Sequence, residues 1–383
     1  MRIKDLKIRV LKIDGMWNGI RMGKIPDILQ TRFIPVGRWN EPAPIYVPLV
    51  QIITDEDIEG VYFGRRGTRE AVEYFAKFTV RSWKNELVGE DPLNRLYLFE
   101  KLRSSIRFHT PGVEALPVID IALWDLAGKY AKMPVYKMIG GYRDKIPAYK
   151  SGGNLPSVKD FVEDALKAKE EGFHGYKDHA YKGPKKNIEL AKAVREAVGE
   201  DFLLMHDAVQ QYSYSEAVTV GRKLEELGYY WFEEPVHDYN LYTLGKLSSL
   251  LDIPILAGEV VHMAGGDSYI YHAAQYVRQQ AVDIVRNKTS IAGITGALRV
   301  AFMADAYGVN TEMAGHGYAE VQVIAAIKNC EFFEAWRPGA HPIGIGEKNP
   351  ITVKNGYVHV PQTPGVGMEL QWDMIDENTL SEY

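Results

Sequence analysis

The segment GFHGYKDHAYKGPKKNIELAKAVREAVGEDFLLMHD, residues 172–207, decides the fold. It begins with a short apolar-aromatic run that ends in Lys177, Asp178 and His179. A stretch with apolar residues at spacings of three and four follows, and a second short apolar run closes on Asp207. The pattern reads as strand, amphipathic helix, strand. Such a unit joins two parallel strands by a right-handed crossover.

The same texture continues on both sides. Candidate strands centre on "IPAYK" near 148, "HGYKDH" near 177, "FLLMHD" near 205 and "YYWFEE" near 232, then on "IPILAGE" near 256, "VDIVRN" near 285, "YGVNTE" near 310 and "CEFFEAW" near 333. Eight strands thus recur every 23 to 29 residues, with helices such as "VKDFVEDALKAKEEG" and "SEAVTVGRKLEELG" between them. Eight such units predict a (β/α)₈ barrel of the TIM type. An open doubly wound sheet fits less well, because neither GxGxxG nor GxxxxGK[ST] follows any strand.

Residues 1 to about 65 have a different pattern. "RIKDLKIRVLKID", "IYVPLVQIIT" and "IEGVYFG" read as a small antiparallel sheet, and the long stretch between the first two, with little periodicity, reads as a loop. Three helices are expected over "TREAVEYFAKFTVRSWKNEL", "PLNRLYLFEKLRSSI" and "LPVIDIALWDLAGKYAKM". The tail "GYVHVPQTPGVGMELQWDMID" has no helical period and is expected to fold back on the first module. The resulting division is an α+β capping domain at 1–140, a barrel at 141–345 and a returning segment at 346–383, an α/β protein as a whole.

Composition narrows the partners. A formal charge of −5 and a pI near 6.1 argue against a nucleic-acid or anionic-membrane surface, each of which needs a dense basic face. A small-molecule partner is expected, in a homo-oligomer. The one cysteine, Cys330, excludes an internal disulfide and suits a reducing cytoplasm, where we place the protein. The opening residues alternate with period two and lack a signal peptide's apolar run, and no segment is apolar enough to span a membrane.

In a barrel of this kind the active site lies at the C-terminal strand ends. Asp207, Glu233 and Glu259 close three consecutive strands at intervals of 26 residues. Any one of them is as readily a helix N-cap. Three together would repel one another, and a hard divalent cation with oxygen ligands, Mg²⁺, relieves that. Glu234, next to Glu233, must point elsewhere. Lys177 and His179 are two residues apart and share a face, inward if the barrel forms, with Asp178 outward. The alternative is a solvated charged loop, since "KDHAYKGPKK" is polar throughout.

These features resemble the enolase superfamily, in its mandelate racemase-like branch. The resemblance rests on "IALWDLAGKYAKMPVYKMIGG", "YWFEEP", "AGE", "AGITGALRVAFMADAYG" and "PGVGMEL", in that order. It implies a cap built from both termini and a barrel whose Mg²⁺ ligands map to Asp207, Glu233 and Glu259. It also implies abstraction of the proton α to a substrate carboxylate. The family's Lys-x-Lys pair maps to Lys177 and His179, so the base position carries histidine. The branch usually pairs a histidine after strand 7 with an aspartate after strand 6. Here "DIVRNKTSIAG" offers Arg286, Asn287 or Lys288 instead, and "NTEMAGHG" offers His316 as the group that protonates a departing hydroxyl. Glu334 matches a substrate-bonding position, and Arg21, in the long N-terminal loop with Trp17 and Lys24, could clamp a distal carboxylate or hydroxyl.

The expected activity is that of a lyase, a Mg²⁺-dependent aldonate or aldarate dehydratase giving a 2-keto-3-deoxy acid. A racemase, epimerase or cycloisomerase is the alternative, and a non-catalytic metal-binding barrel the second.

Overall fold

The computed structural model describes residues 1–14, 17–24, 33–106, 112–180, 182–259, 268–336 and 346–383. The chain opens with β1 (Ile3–Ile13), β2 (Trp17–Lys24), β3 (Phe33–Glu41), β4 (Ile45–Thr54) and β5 (Glu59–Phe63). The helices α1 (Arg69–Leu87), α2 (Arg95–Ile106), α3 (Gly112–Ala131) and α4 (Val135–Ile139) follow. Next come β6 (Lys145–Ser151), α5 (Val158–Glu170), β7 (Gly175–Asp178), α6 (Pro184–Val198), β8 (Leu203–Asp207), α7 (Tyr214–Glu226), β9 (Trp231–Glu233) and α8 (Leu241–Leu250). The alternation continues with β10 (Ile255–Ala257), α9 (Ser268–Arg278), β11 (Ile284–Asn287), α10 (Thr289–Ala306), β12 (Asn310–Met313), α11 (Tyr318–Ala326) and β13 (Phe333–Trp336). The chain ends with β14 (Val353–Lys354), β15 (Tyr357–His359), α12 (Trp372–Asn378) and β16 (Thr379–Glu382).

All eight expected barrel strands form, pairing in parallel from β6 through β12, with β13 on the other side of β6. At the seam between β12 and β13 side chains supplement the backbone. Glu312 Oε1 accepts the backbone N–H groups of Glu331 and Phe332 at 3.1 and 3.2 Å, and the Thr311 N–H donates to the Asn329 carbonyl at 2.7 Å. The outer helices start where the sequence supplies caps. Ser157 with Asp160 and Ser213 with Glu216 form reciprocal capping boxes on α5 and α7, each cap stabilising its helix by about 1 kcal/mol.

The first sheet runs in the order β16, β1, β4, β5, so the last strand of the chain lies beside the first. Arg9 and Lys7 on β1 fix it there through Glu382. The tail also differs from expectation. It includes α12, and before that β15 pairs with the start of β6, so the segment touches the barrel's N-terminal end on its way to the cap sheet. A second difference is β2 and β3, which pair antiparallel where a loop was expected. Their residues do not alternate in polarity, so the ladder is set by backbone pairing and leaves no periodic trace.

Inside the barrel, strand alternation stacks two layers. The lower layer is apolar: Tyr149, Met205, Trp231, Leu256, Ile284 and Phe332 form one buried cluster, with Tyr149 edge-on to Trp231 at 5.4 Å between ring centroids. Two residues further along the same strands stand Asp207, Glu233, Arg286 and Glu334, joined by Lys177 from β7. Cys330 is buried, as expected of a small core residue. Among the described residues no helix is long and apolar enough to cross a membrane.

Candidate active site

Lys177 is the hub of the upper layer. Its side chain is 1% exposed, and Nζ lies 2.8 Å from Glu233 Oε2, 2.9 Å from Glu334 Oε1 and 3.8 Å from Asp207 Oδ2. Burial and the nearby Arg286 work against its charge. The carboxylates outweigh both and hold the ammonium well above the ordinary lysine range.

His179 sits beside it. Its Nδ1 is 2.6 Å from the Gly152 carbonyl, which can only accept, so Nδ1 carries a proton and Nε2 faces Asp207 Oδ2 at 3.1 Å. Burial would lower its pKa, but Asp207 raises it. Reciprocally, His179 and Lys177 hold Asp207 down to about 2 against the cost of burial. Asp178 points the other way, as alternation requires. Its Oδ1 accepts from His206 Nδ1 at 2.7 Å and from the Ala180 N–H at 3.1 Å, while His206 Nε2 meets the Tyr212 hydroxyl at 3.1 Å. This outer network ties the loop after β7 to β8 and holds His179 at the rim.

Glu233 is fully buried and engaged at both oxygens. Oε2 accepts from Lys177 and, at 3.3 Å, from Trp231 Nε1, and Oε1 accepts from Arg286 Nε at 2.7 Å. Burial still raises its pKa above the usual carboxylate value. Glu334 is held well below that value, because Lys177 and Arg286 more than offset burial. Glu234 turns away at a backbone φ of +42°, and burial and then Asp238 raise its pKa well above the usual carboxylate range.

Equal spacing does not translate into equal register. Asp207 and Glu233 are direct cross-strand partners, but the partner of Glu233 on β10 is Leu256, three residues before Glu259. Glu259 stands beyond the end of β10, past Gly258 at φ +111°, where it pairs with Lys288 and lies 3.9 Å from Arg286 Nε. Partial burial notwithstanding, those cations lower its pKa. The structure therefore brings Lys177, His179, Asp207, Glu233 and Glu334 together and sets Glu259 to one side. Among the described residues no three acid, histidine or cysteine side chains are grouped as a ready coordination set.

The strand-6 region resolves three ways. Arg286 points into the barrel, Asn287 turns outward to the Ala297 carbonyl and the Tyr269 hydroxyl, and Lys288 reaches Glu259. His316 Nδ1 donates to the Glu334 carbonyl at 2.7 Å. The Arg21 side chain lies outside the described residues. Sequence reasoning missed the interior place of Arg286 and of Glu312, its register partner on β12. The available signal was alternation, since Ile284 and Arg286 share a face.

Buried acids and a lysine at the C-terminal mouth of a capped (β/α)₈ barrel form the arrangement of an enzyme active site. Residues 160–374 match the family described as Enolase C-terminal domain-like, and residues 44–140 match the mandelate racemase / muconate lactonizing enzyme N-terminal domain. The chain belongs to the enolase superfamily, in its mandelate racemase/muconate lactonizing branch. It is 31% identical over 304 residues to the arabinonate dehydratase of Saccharolobus solfataricus, covering 76% of this chain and 80% of that one. It is 29% identical to the D-galactarolactone cycloisomerase of Agrobacterium fabrum, covering 78% and 83%. Among solved structures, the D-glucarate dehydratase of Agrobacterium tumefaciens, complexed with magnesium, superposes over 100% of both chains with a TM-score of 0.80 and 31% identity.

Proposed function

We propose that the chain is a Mg²⁺-dependent dehydratase of a sugar acid, an aldonate or aldarate, that produces a 2-keto-3-deoxy acid. The observation that carries the proposal is the buried assembly of Lys177, Asp207, Glu233 and His179 at the mouth of β7 to β9. The dehydratases among its relatives support the same reading.

Asp207, Glu233 and Glu259 would hold the cation. The donor set fits a hard ion, being all oxygen, and the Lys177 ammonium already lies against Glu233 and within 3.8 Å of Asp207, so positive charge is stabilised between these two carboxylates. Bound there, Mg²⁺ supplies Lewis-acid stabilisation of the negative charge that develops on the substrate carboxylate. Lys177, itself buried, stabilises the same charge from the β7 side. In its neutral form His179, with its Nδ1 proton held by the Gly152 carbonyl, takes the C2 proton on Nε2. The C2–H electron pair forms the enediolate and then expels the 3-hydroxyl, which leaves as water with a proton from His316. The enol product tautomerises to the 2-keto acid. The division at residues 140 and 345 is part of this proposal, supported by the return of β16 to β1.

A cycloisomerase or racemase is the second reading. It is favoured by Lys288 at the end of β11, which stands four strands from β7 in the ring of eight and so faces it across the mouth. One assay separates them. With Mg²⁺ and a panel of aldonates and aldarates, a dehydratase forms semicarbazide-reactive 2-keto acid. Deuterium uptake at C2 without keto acid selects the isomerase. In a dehydratase, His316→Asn lowers elimination by about 10²-fold while C2 exchange persists. If no acid in the panel exchanges its α-proton, the barrel is not an enzyme of this kind.

A further inference from the structure

We infer that Arg286 is a positioning residue, a permanent cation inside the barrel that assembles and charge-balances the acid cluster before any divalent ion enters. Four carboxylates, those of Asp207, Glu233, Glu259 and Glu334, face three fixed cations, Lys177, Arg286 and Lys288. Arg286 touches the most deeply buried of these acids. Its side chain is 1% exposed; Nε lies 2.7 Å from Glu233 Oε1, and Nη2 lies 3.4 Å from Glu334 Oε2 and 3.3 Å from the Tyr149 hydroxyl. Lys177 and Trp231 hold the other Glu233 oxygen, so the plane of that carboxylate is fixed from both sides.

The residue type matters. A buried carboxylate without a partner is strongly destabilising, and a guanidinium cannot relieve the strain of burial by losing its proton. Its charge therefore stays when a divalent cation arrives and opposes it at short range. Two consequences follow. The apo protein keeps its acids in place, and cation affinity is lower than the carboxylates alone would set. The second consequence rests on the metal reading of the proposed function; the first does not.

The test compares wild type, Arg286→Met, Arg286→Lys and the double variant Arg286→Met/Glu233→Gln, each melted in EDTA and in excess MgCl₂. In EDTA, Arg286→Met is expected to unfold well below wild type. Arg286→Lys, which keeps the charge, and the double variant, which removes the acid, should lie near wild type. Mg²⁺ should raise the Tm of Arg286→Met by several degrees more than that of wild type. By calorimetric titration with MgCl₂, Arg286→Met should bind about tenfold more tightly. An equal loss with and without Mg²⁺, or a double variant no more stable than Arg286→Met, reduces Arg286 to packing and overturns the inference. If Arg286→Met does not fold, Arg286→Lys decides: a Lys variant that fails with it overturns the inference, and one that keeps the wild-type Tm in EDTA upholds it. If wild type binds no Mg²⁺, the proposed function falls, while the EDTA order still decides on Arg286.

Discussion

The two sides of the barrel mouth are built by different means. On β7 to β9, Lys177, Asp207 and Glu233 stand where strand register puts them, and Asp207 and Glu233 are direct partners. From β10 to β12 the acids no longer follow the register. Glu259 is carried past its strand by the positive φ of Gly258, Arg286 on the regular β11 sets a guanidinium among the acids, and Glu312 at the seam accepts two backbone N–H groups of the segment leading into β13. The regular side concentrates charge on buried side chains. The irregular side adjusts that charge with long side chains from residues distant in sequence. Catalytic electrostatics should therefore depend most on the first, while on the second a buried acid at the seam, Glu312, adds its own share of pH-dependent stability.

The largest expected effect tests the first half of that contrast. Lys177→Met should lower kcat/KM by about 10³-fold and suppress C2 deuterium exchange with it, because a buried ammonium that would stabilise the developing charge is removed. Lys288→Met, across the mouth and against the partly exposed Glu259, should cost about fivefold or less. Equal losses in the two variants, measured side by side on one substrate, would break the comparison.

The same contrast explains what could be read from the sequence. The eight strands and their order were legible because buried parallel strands are short apolar runs separated by amphipathic helices, and each run carries its signal locally. Lys177 and Asp178 fall on opposite faces by simple alternation, as the Glu233 and His206 contacts show. Glu259 reads from the sequence as the residue closing its strand, in line with Asp207 and Glu233, since equal spacing of 26 residues hides a three-residue offset relative to Leu256. Only a positive φ at Gly258 reveals it. Arg286, Asn287 and Lys288 stand undecided at the aspartate's place in the sequence, because the role of Arg286 depends on Glu233, 53 residues away. The pairing of β2 with β3 was not legible because backbone bonds alone, with no polarity pattern, define it.

A middle-sized effect tests the irregular side through pH. Burial pushes Glu312 up to about 8, although Arg286 and the Phe332 and Glu331 N–H groups pull it down. Its folded pKa lies above its unfolded value, so its contribution to stability is fully present below about pH 4.5 and is lost as pH rises through about 8. At about 1.4 kcal/mol per unit, the ceiling is on the order of 5 kcal/mol. Urea midpoints should fall for wild type between pH 5 and pH 8.5, and Glu312→Gln should flatten that slope. On the regular side Asp207 is depressed to about 2, so its contribution is present above about pH 3.8 and lost only toward pH 2. It adds no slope in the same window. A Glu312→Gln variant with the wild-type slope would remove the seam from the comparison.

The smallest effect separates the two sides at single glycines. Gly175 on β7 has ordinary strand geometry, and an added Cβ would lie 2.9 Å from the Leu203 side chain and carbonyl, so Gly175→Ala costs stability by crowding the regular lower layer. Gly258 is the reverse case. A Cβ there meets nothing nearer than the Arg286 backbone at 3.9 Å, but φ +111° is a conformation that side chains rarely adopt, so Gly258→Ala costs about 1–3 kcal/mol through backbone strain alone. The strain is released by rotating the very peptide that carries Glu259 beyond β10. Gly258→Ala should therefore weaken Mg²⁺ binding in calorimetric titration along with its loss in Tm, and Gly175→Ala should lower Tm by a similar amount with the Mg²⁺ dissociation constant unchanged. If both variants shift the metal affinity alike, the placement of Glu259 does not depend on the irregular backbone, and register alone would account for the whole acid ring.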